Sequence, residues 1–278
     1  MSIRELLEIG ISVLKQNSVE NPIQHARILM AHIIGKSKEY LIAHDNEIIN
    51  KDTENEYKKA IYKLVEGIPI QYITNSQQFM KLDFFVNESV LIPRADTEIL
   101  VEEVIGIAKK EKKFKILDLC TGSGAIGISL DKYIENAEII CSDISKKAID
   151  VANKNRDRNN SKVKIIQSNM FESIKDKFDI IVSNPPYIRD DIIKTLEKNV
   201  LCEPYMALSG GNDGLKFYRI IAENGYKFLD KNGYICLEIG YDQKESVINI
   251  FKEYEQYKEI YSKKDLNNLD RIVVIRKG

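Results

Sequence analysis

Asp118-Leu119-Cys120-Thr121-Gly122-Ser123-Gly124-Ala125-Ile126-Gly127 lies between an apolar run, Lys115 to Cys120, and a segment of helical periodicity, Ala125 to Ile134. A strand, a Gly-rich turn and a helix in that order form the opening unit of a doubly wound sheet, in which the glycines let a ligand approach the backbone. Gly122, Gly124 and Gly127 keep the dinucleotide spacing, and Asp143 follows Gly124 by 19 residues at the end of the next apolar run. A carboxylate there can bind ribose hydroxyls, so the turn is expected to take a nucleoside-type ligand.

Downstream of this turn the alternation continues. Glu138 to Asp143, Val163 to Gln167, Phe178 to Ser183 and Gly233 to Ile239 read as strands, and Lys146 to Asn155, Gly214 to Phe228 and Gln243 to Glu253 as helices. Two last apolar segments, Tyr257 to Tyr261 and Arg271 to Ile275, have no helix between them and are expected to pair antiparallel. The pattern predicts an α/β, doubly wound, mostly parallel sheet covered on both faces.

Upstream, residues 2 to 73 read as a small helical bundle. Ser2 to Glu5 fits a capping box, Asn21-Pro22 supplies a cap and a first-turn proline before a helix that Gly35 ends, and Thr53 to Glu56 is a second capping box. Phe84 to Val86 and Val90 to Ile92, separated by Asn87-Glu88-Ser89, predict a hairpin between the bundle and the sheet. Arg94 and Glu98, four apart at a helix start, have the spacing of an ordinary surface pair, and a role beyond that is equally open. The expected division is a helical domain over 1–75, a hairpin linker over 76–93 and the sheet domain over 94–278.

A second stretch bears on chemistry. In Ile181-Val182-Ser183-Asn184-Pro185-Pro186-Tyr187 a buried strand runs into two prolines, which have no N–H for a ladder and push the residues before them toward extended geometry. Stiff acceptors at the carboxyl end of a parallel strand stand where open α/β sheets bind ligands.

Composition narrows the class. The chain has 278 residues, 30% charged and 44% hydrophobic, with 41 basic against 42 acidic side chains, so no global field draws it to nucleic acid or anionic lipid. No apolar run approaches the ~20 residues of a membrane helix, and Arg4, Glu5 and Glu8 stand where a signal peptide would be apolar. A cytoplasmic protein is expected. Cys120, Cys141, Cys202 and Cys236 form no Cys-x-x-Cys pair and read as free thiols. His25, His32 and His44 all lie near the N-terminus, so neither a His triad nor a His-bound metal is expected at the Gly-rich turn, and no metal is expected as cofactor.

A nicotinamide cofactor and S-adenosylmethionine both fit the glycine spacing. Asp118 favours the second, because an acid at the end of the first strand suits an ammonium and repels a pyrophosphate.

Several spaced motifs together resemble the bacterial release-factor glutamine methyltransferases. They are Gly67-Ile68-Pro69-Ile70-Gln71-Tyr72-Ile73, Leu91 to Glu98, Asp118 to Gly124, Asn184 to Tyr187, Glu203-Pro204 with Ala207 to Leu215, and Asp270-Arg271, and the likeness covers nearly the whole chain. The resemblance implies a class I, Rossmann-like methyltransferase fold with a seven-stranded sheet behind a helical substrate-recognition domain. It implies S-adenosylmethionine as cofactor, with S-adenosylhomocysteine as product. Asp118, Cys120, Thr121, Gly122, Ser123 and Gly124 would line its site, Asp143 would bind ribose, and Asn169 and Met170 would lie beside the adenine. Cys120 replaces the family's first-turn glycine. Asn184, Pro185, Pro186 and Tyr187 would hold the glutamine amide of a peptide-chain release factor, with Asn184 also touching the cofactor and Tyr187 packing on the amide plane. A monomer is expected, with no direct contact to nucleic acid or membrane. Other readings remain open: glutamine methylation of a ribosomal protein, adenine-N6 methylation of nucleic acid, a nicotinamide-dependent oxidoreductase, and a silent partner-binding module.

Overall fold

The computed structural model describes residues 1–108 and 113–278. They fall into two compact units, one made of residues 1–75 with 197–202 and the other of 76–196 with 203–278. Among the described residues no helix is long and apolar enough to cross a membrane.

The first unit is helical: Ile3–Gln16, Pro22–Ile34, Lys38–Ala43, Lys51–Val65 and Ile70–Thr74. Ser2 and Glu5 form the expected capping box, Ser2 Oγ accepting from the Glu5 N–H and Glu5 Oε2 from the Ser2 N–H. Ile3, Leu6, Leu14, Leu29, Met30 and Tyr57 are buried together. A Cβ at Gly10 would come within 2.2 Å of the Tyr57 hydroxyl, so the glycine is what lets these helices approach. Two helix starts differ from expectation. Asn50, not Thr53, caps its helix by accepting from the Thr53 N–H at 2.9 Å, because the turn that begins at Lys51 lets Glu54 bury its carboxylate against Lys51 and Lys58. Asn21 sits at φ +48° and makes no side-chain cap; Pro22 alone marks that start.

The hairpin is displaced toward the N-terminus. Its strands are β1, Gln77–Phe79, and β2, Leu82–Phe84, joined by Met80 and Lys81 at φ +48° and +58°, and both group with the second unit. Val86, Val90 and Ile92 are buried as expected but lie in a loop. Side chains there take the place of a partner strand: Asn155 accepts from the Phe85 N–H (2.6 Å) and donates to the Phe85 carbonyl (2.9 Å), and Glu203 accepts from the Ile92 N–H (3.2 Å).

The sheet of the second unit has seven strands: β3 (Phe114–Leu119), β4 (Ala137–Asp143), β5 (Lys164–Gln167), β6 (Phe178–Ser183), β7 (Leu229–Glu238), β8 (Tyr257–Lys264) and β9 (Asp270–Lys277). Their order is β5-β4-β3-β6-β7-β9-β8; the first five run parallel, and β9 and β8 close the sheet antiparallel, as the missing helix predicts. Helices cover both faces, over separate clusters around Ile116, Ile128 and Val182 and around Leu117, Ile181 and Phe251. The strand order reverses between β3 and β6, and this switch point is where a doubly wound sheet opens a crevice for a ligand.

Candidate active site

The carboxyl ends of β3, β4 and β6 open on a cavity of about 480 Å³. Leu119, Cys120 and Gly122 form one wall, Ser142 and Asp143 a second, and Asn184 and Pro186 a third; Asn169 and Met170 also line it. Asp143 Oδ2 accepts from the Gly122 N–H and Oδ1 from the Ser145 N–H, both at 2.9 Å. A carboxylate oxygen has more than one acceptor site, so Asp143 is oriented without being saturated. Burial raises its pKa, and the backbone N–H groups oppose the rise.

The turn between β3 and its helix is held from behind. Asp118 is fully buried, accepting on Oδ2 from the Thr121 hydroxyl (2.5 Å) and the Gly127 N–H (3.0 Å), while its Oδ1 has no partner among the described residues. Burial pushes it up to about 7 against the opposing pull of Thr121 and Gly127. A Cβ on Gly127 would stand 2.2 Å from Cys141 Sγ and 3.1 Å from Asp118 Oδ2, so only glycine fits where the helix crosses the strands. Cys120, Gly122 and Gly124 all take positive φ, +58°, +54° and +82°.

The second turn is held by distant side chains. Asn184 Nδ2 donates to Thr97 Oγ1 at 3.2 Å, and the Thr97 hydroxyl donates to Glu238 Oε2 at 2.6 Å. The Tyr187 hydroxyl reaches Glu238 Oε1 at 3.4 Å. Glu238 is 2% exposed, and burial pushes it up to about 7 against the opposing pull of Thr97, Arg271 and Tyr187. The backbone of the turn leaves no space around it: a Cβ on Gly210 would meet Tyr187 Cα at 2.7 Å, and one on Gly214 the Tyr187 carbonyl at 2.5 Å.

The structure brings only some of the expected site residues to the cavity. Asp118 was expected to face a ligand ammonium, but it is sealed behind the turn and does not line the cavity. Thr121, Ser123 and Gly124 likewise shape the turn without lining the cavity; Thr121 bonds to Asp118, and the Ser123 carbonyl accepts from Asn155 at 2.8 Å. Cys120, Gly122, Asp143, Asn169, Met170, Asn184 and Pro186 line it together. Asn169 donates through Nδ2 to Glu172 at 2.7 Å. Pro185 is buried, and Tyr187 turns to Glu238 instead of lining the cavity. The Arg94 and Glu98 pair does not form: Arg94 bonds to Glu203, and Glu98 accepts from the Met80 N–H at 2.6 Å.

The sequence matches the PrmC N-terminal domain over residues 5–74 and the methyltransferase small domain over residues 95–211. It is 42% identical over 284 residues to a release factor glutamine methyltransferase of Clostridium acetobutylicum, covering 100% of this chain and 99% of that one. The chain belongs to the release factor glutamine methyltransferase family. A member from Agrobacterium fabrum is 38% identical over 271 residues, covering 95% and 93% of the two chains. A solved methyltransferase of Pyrococcus furiosus, 18% identical, superposes with a TM-score of 0.54 over 82% of this chain and 100% of its own, a likeness of fold.

Within this methyltransferase, sequence inspection overlooked Thr97, Asn155 and Glu238. Thr97 falls inside the Leu91 to Glu98 motif; it stands at the N-cap position of the helix Glu98–Ile107 but makes no side-chain cap there, and its hydroxyl is used for Glu238. Glu238 carries a findable signal: it is a lone acid ending the apolar run Ile235-Cys236-Leu237, the position Asp143 holds on β4.

Proposed function

We propose that this protein transfers a methyl group from S-adenosylmethionine to the side-chain amide nitrogen (N5) of the glutamine in the Gly-Gly-Gln loop of peptide-chain release factors. The observation that carries the reading is the polarity of Asn184 at the cavity wall. Its NH₂ end is committed to Thr97, so Oδ1 is the end left to accept a hydrogen bond. An acceptor beside the Pro185 carbonyl suits a neutral NH₂ group, whose two N–H bonds need two acceptors.

The cavity suits the proposed donor. Asp143 would accept from the ribose hydroxyls, the Cys120 to Gly122 backbone would lie along the amino acid portion, and Met170 would pack on the base with Asn169 at its edge. When bound, S-adenosylmethionine supplies an electrophilic methyl group and retains the electron pair of the broken carbon–sulfur bond. What remains for the chain is orientation. An amide nitrogen is a weak nucleophile because its lone pair is delocalised. Two fixed acceptors on its hydrogens raise its electron density and turn its face toward the methyl. As the new N–C bond forms the nitrogen would pass one proton to solvent water, and the product is a neutral secondary amide. Pro185 and Pro186 keep both acceptors stiff through the change.

We assign recognition of the protein substrate to residues 1–75, which contribute no residue to the cavity. The substrate works on the ribosome, which puts the activity in the cytoplasm. Mass spectrometry of a release factor after incubation with S-adenosylmethionine should find one added methyl on the Gly-Gly-Gln glutamine, and none when that residue is glutamate. Methyl groups on adenine in nucleic acid, or on a ribosomal protein, with none on the loop in the same assay would overturn the proposal.

A further inference from the structure

We propose that Thr97 and Glu238 are positioning residues that fix which end of the Asn184 carboxamide faces the acceptor. Strands β6 and β7 run parallel with Ser183 opposite Leu237, so Asn184 and Glu238 are the next residues along each strand, side by side at the carboxyl edge. Thr97 sits in the 3₁₀ turn Ala95–Thr97 and its hydroxyl bridges the two. While Glu238 is ionised it only accepts, so the single Thr97 proton goes to it, at 2.6 Å. The Thr97 oxygen is then an acceptor only, and the partner it takes at 3.2 Å must be the NH₂ end of Asn184. Rotating the amide by half a turn would set two oxygens against each other and leave the buried Thr97 oxygen without a donor, since Thr97 is 4% exposed. It would also present NH₂ to an acceptor NH₂ and remove the attraction that holds the substrate. The other Glu238 oxygen takes the Tyr187 hydroxyl at 3.4 Å, so one carboxylate braces both ends of the four-residue turn.

What is oriented rests on the functional proposal above; the orientation itself does not, and the test separates the two. Thr97→Val keeps the shape and removes the hydroxyl, while Thr97→Ser keeps the hydroxyl. The Val variant should lose about tenfold or more in kcat, with KM for both substrates within about threefold, and the Ser variant should recover to within about threefold of wild type. Thr97→Val combined with Asn184→Ala should be no slower than Asn184→Ala alone, because Thr97 acts only through Asn184. Protein labelled with ¹⁵N on asparagine gives a readout independent of turnover. The Asn184 NH₂ proton bonded to Thr97 should be shifted and slow to exchange with water in wild type and Thr97→Ser, and should lose that shift and protection in Thr97→Val. An unchanged kcat in Thr97→Val, an additive loss in the double variant, or unaltered Asn184 resonances would overturn the positioning role. A wild-type enzyme that methylates no glutamine would instead overturn the functional proposal, leaving the resonances to judge the orientation.

Discussion

The turn after β3 and the turn after β6 are each held by a buried carboxylate that stays outside the cavity, and they differ in the reach of that carboxylate. Asp118 bonds to Thr121 and Gly127, within nine residues of itself, and what it fixes is a backbone path. Glu238 bonds to Thr97 and Tyr187, 141 and 51 positions away, and what it fixes is the polarity of side chains. A turn that cradles a ligand through backbone needs small residues and unusual φ, which are local demands. A turn that must offer an acceptor, and not a donor, needs a hydrogen-bond direction, and direction has to be imported from another strand.

The largest effect should come from breaking the second turn alone. Asn184→Ala should cut the single-turnover rate by a factor on the order of 10² or more, as loss of a hydrogen bond formed in the transition state does. Affinity for S-adenosylmethionine by calorimetry should stay within a few-fold. A parallel loss of rate and affinity would show that the two turns are not separable.

The first turn should fail differently. Asp143→Ala removes a carboxylate placed for two ribose hydroxyls, and charge-assisted bonds of that kind contribute ~1.5–3 kcal/mol each, so S-adenosylmethionine should bind at least about tenfold more weakly. Calorimetry on a folded Asp143→Ala showing wild-type affinity would remove the ribose assignment.

The same contrast explains what could be read before the structure. Gly122, Gly124 and Asp143 announce the first turn because glycine spacing and a strand-ending acid record constraints that lie within one strand–helix–strand unit. The strand alternation and the closing antiparallel pair were legible for the same reason. The hairpin was not, since Met80-Lys81 carries neither glycine nor asparagine at its two positive-φ positions. Val86, Val90 and Ile92 meanwhile mimic a strand: apolar patterning records burial, and their burial is achieved with Asn155 and Glu203 as hydrogen-bond partners. The burial of Asp118 was not legible, because its position at the end of a strand predicts proximity to the cavity but not the side on which the side chain points. Thr97 and Glu238 are joined only by folding, so no spacing reveals them.

Ionisation offers a smaller and more discriminating test, in which activity and stability should move in opposite directions. Glu238 faces Thr97, Tyr187, Arg271 and Asp96, and burial pushes it up to about 7. Protonated, it can donate to Thr97, which frees the Thr97 hydroxyl to turn to Asn184 and scrambles the amide direction; kcat should therefore fall as pH drops through about 7. Stability runs the other way. Between the unfolded value near ~4.3 and about 7 the folded state holds a proton that the unfolded chain has released, so the stabilisation is full below that window and is lost as pH rises through it. Urea unfolding should show wild type losing ground to Glu238→Gln as pH is raised. A stability difference that does not vary with pH would mean that Glu238 is ionised throughout.

The smallest expected effect lies back in the first turn, at Cys120. Its φ of +58° is a left-handed conformation that costs an L-residue roughly 1–2 kcal/mol and glycine almost nothing. Glycine, however, loses more chain entropy on folding, and Cys120→Gly would also give up the contact of Sγ with Met170 Sδ at 3.9 Å. These losses offset part of the relief, so Cys120→Gly should gain only about 0.5 kcal/mol in urea unfolding. Cys120→Val should lose more than about 1 kcal/mol, because a β-branched side chain is least tolerant of positive φ. Opposite signs for the two variants would identify backbone conformation as the constraint in this turn. Losses in both would mean that the sulfur contact with Met170 outweighs the strain, and the first turn would then depend, like the second, on a side chain delivered from elsewhere in the chain.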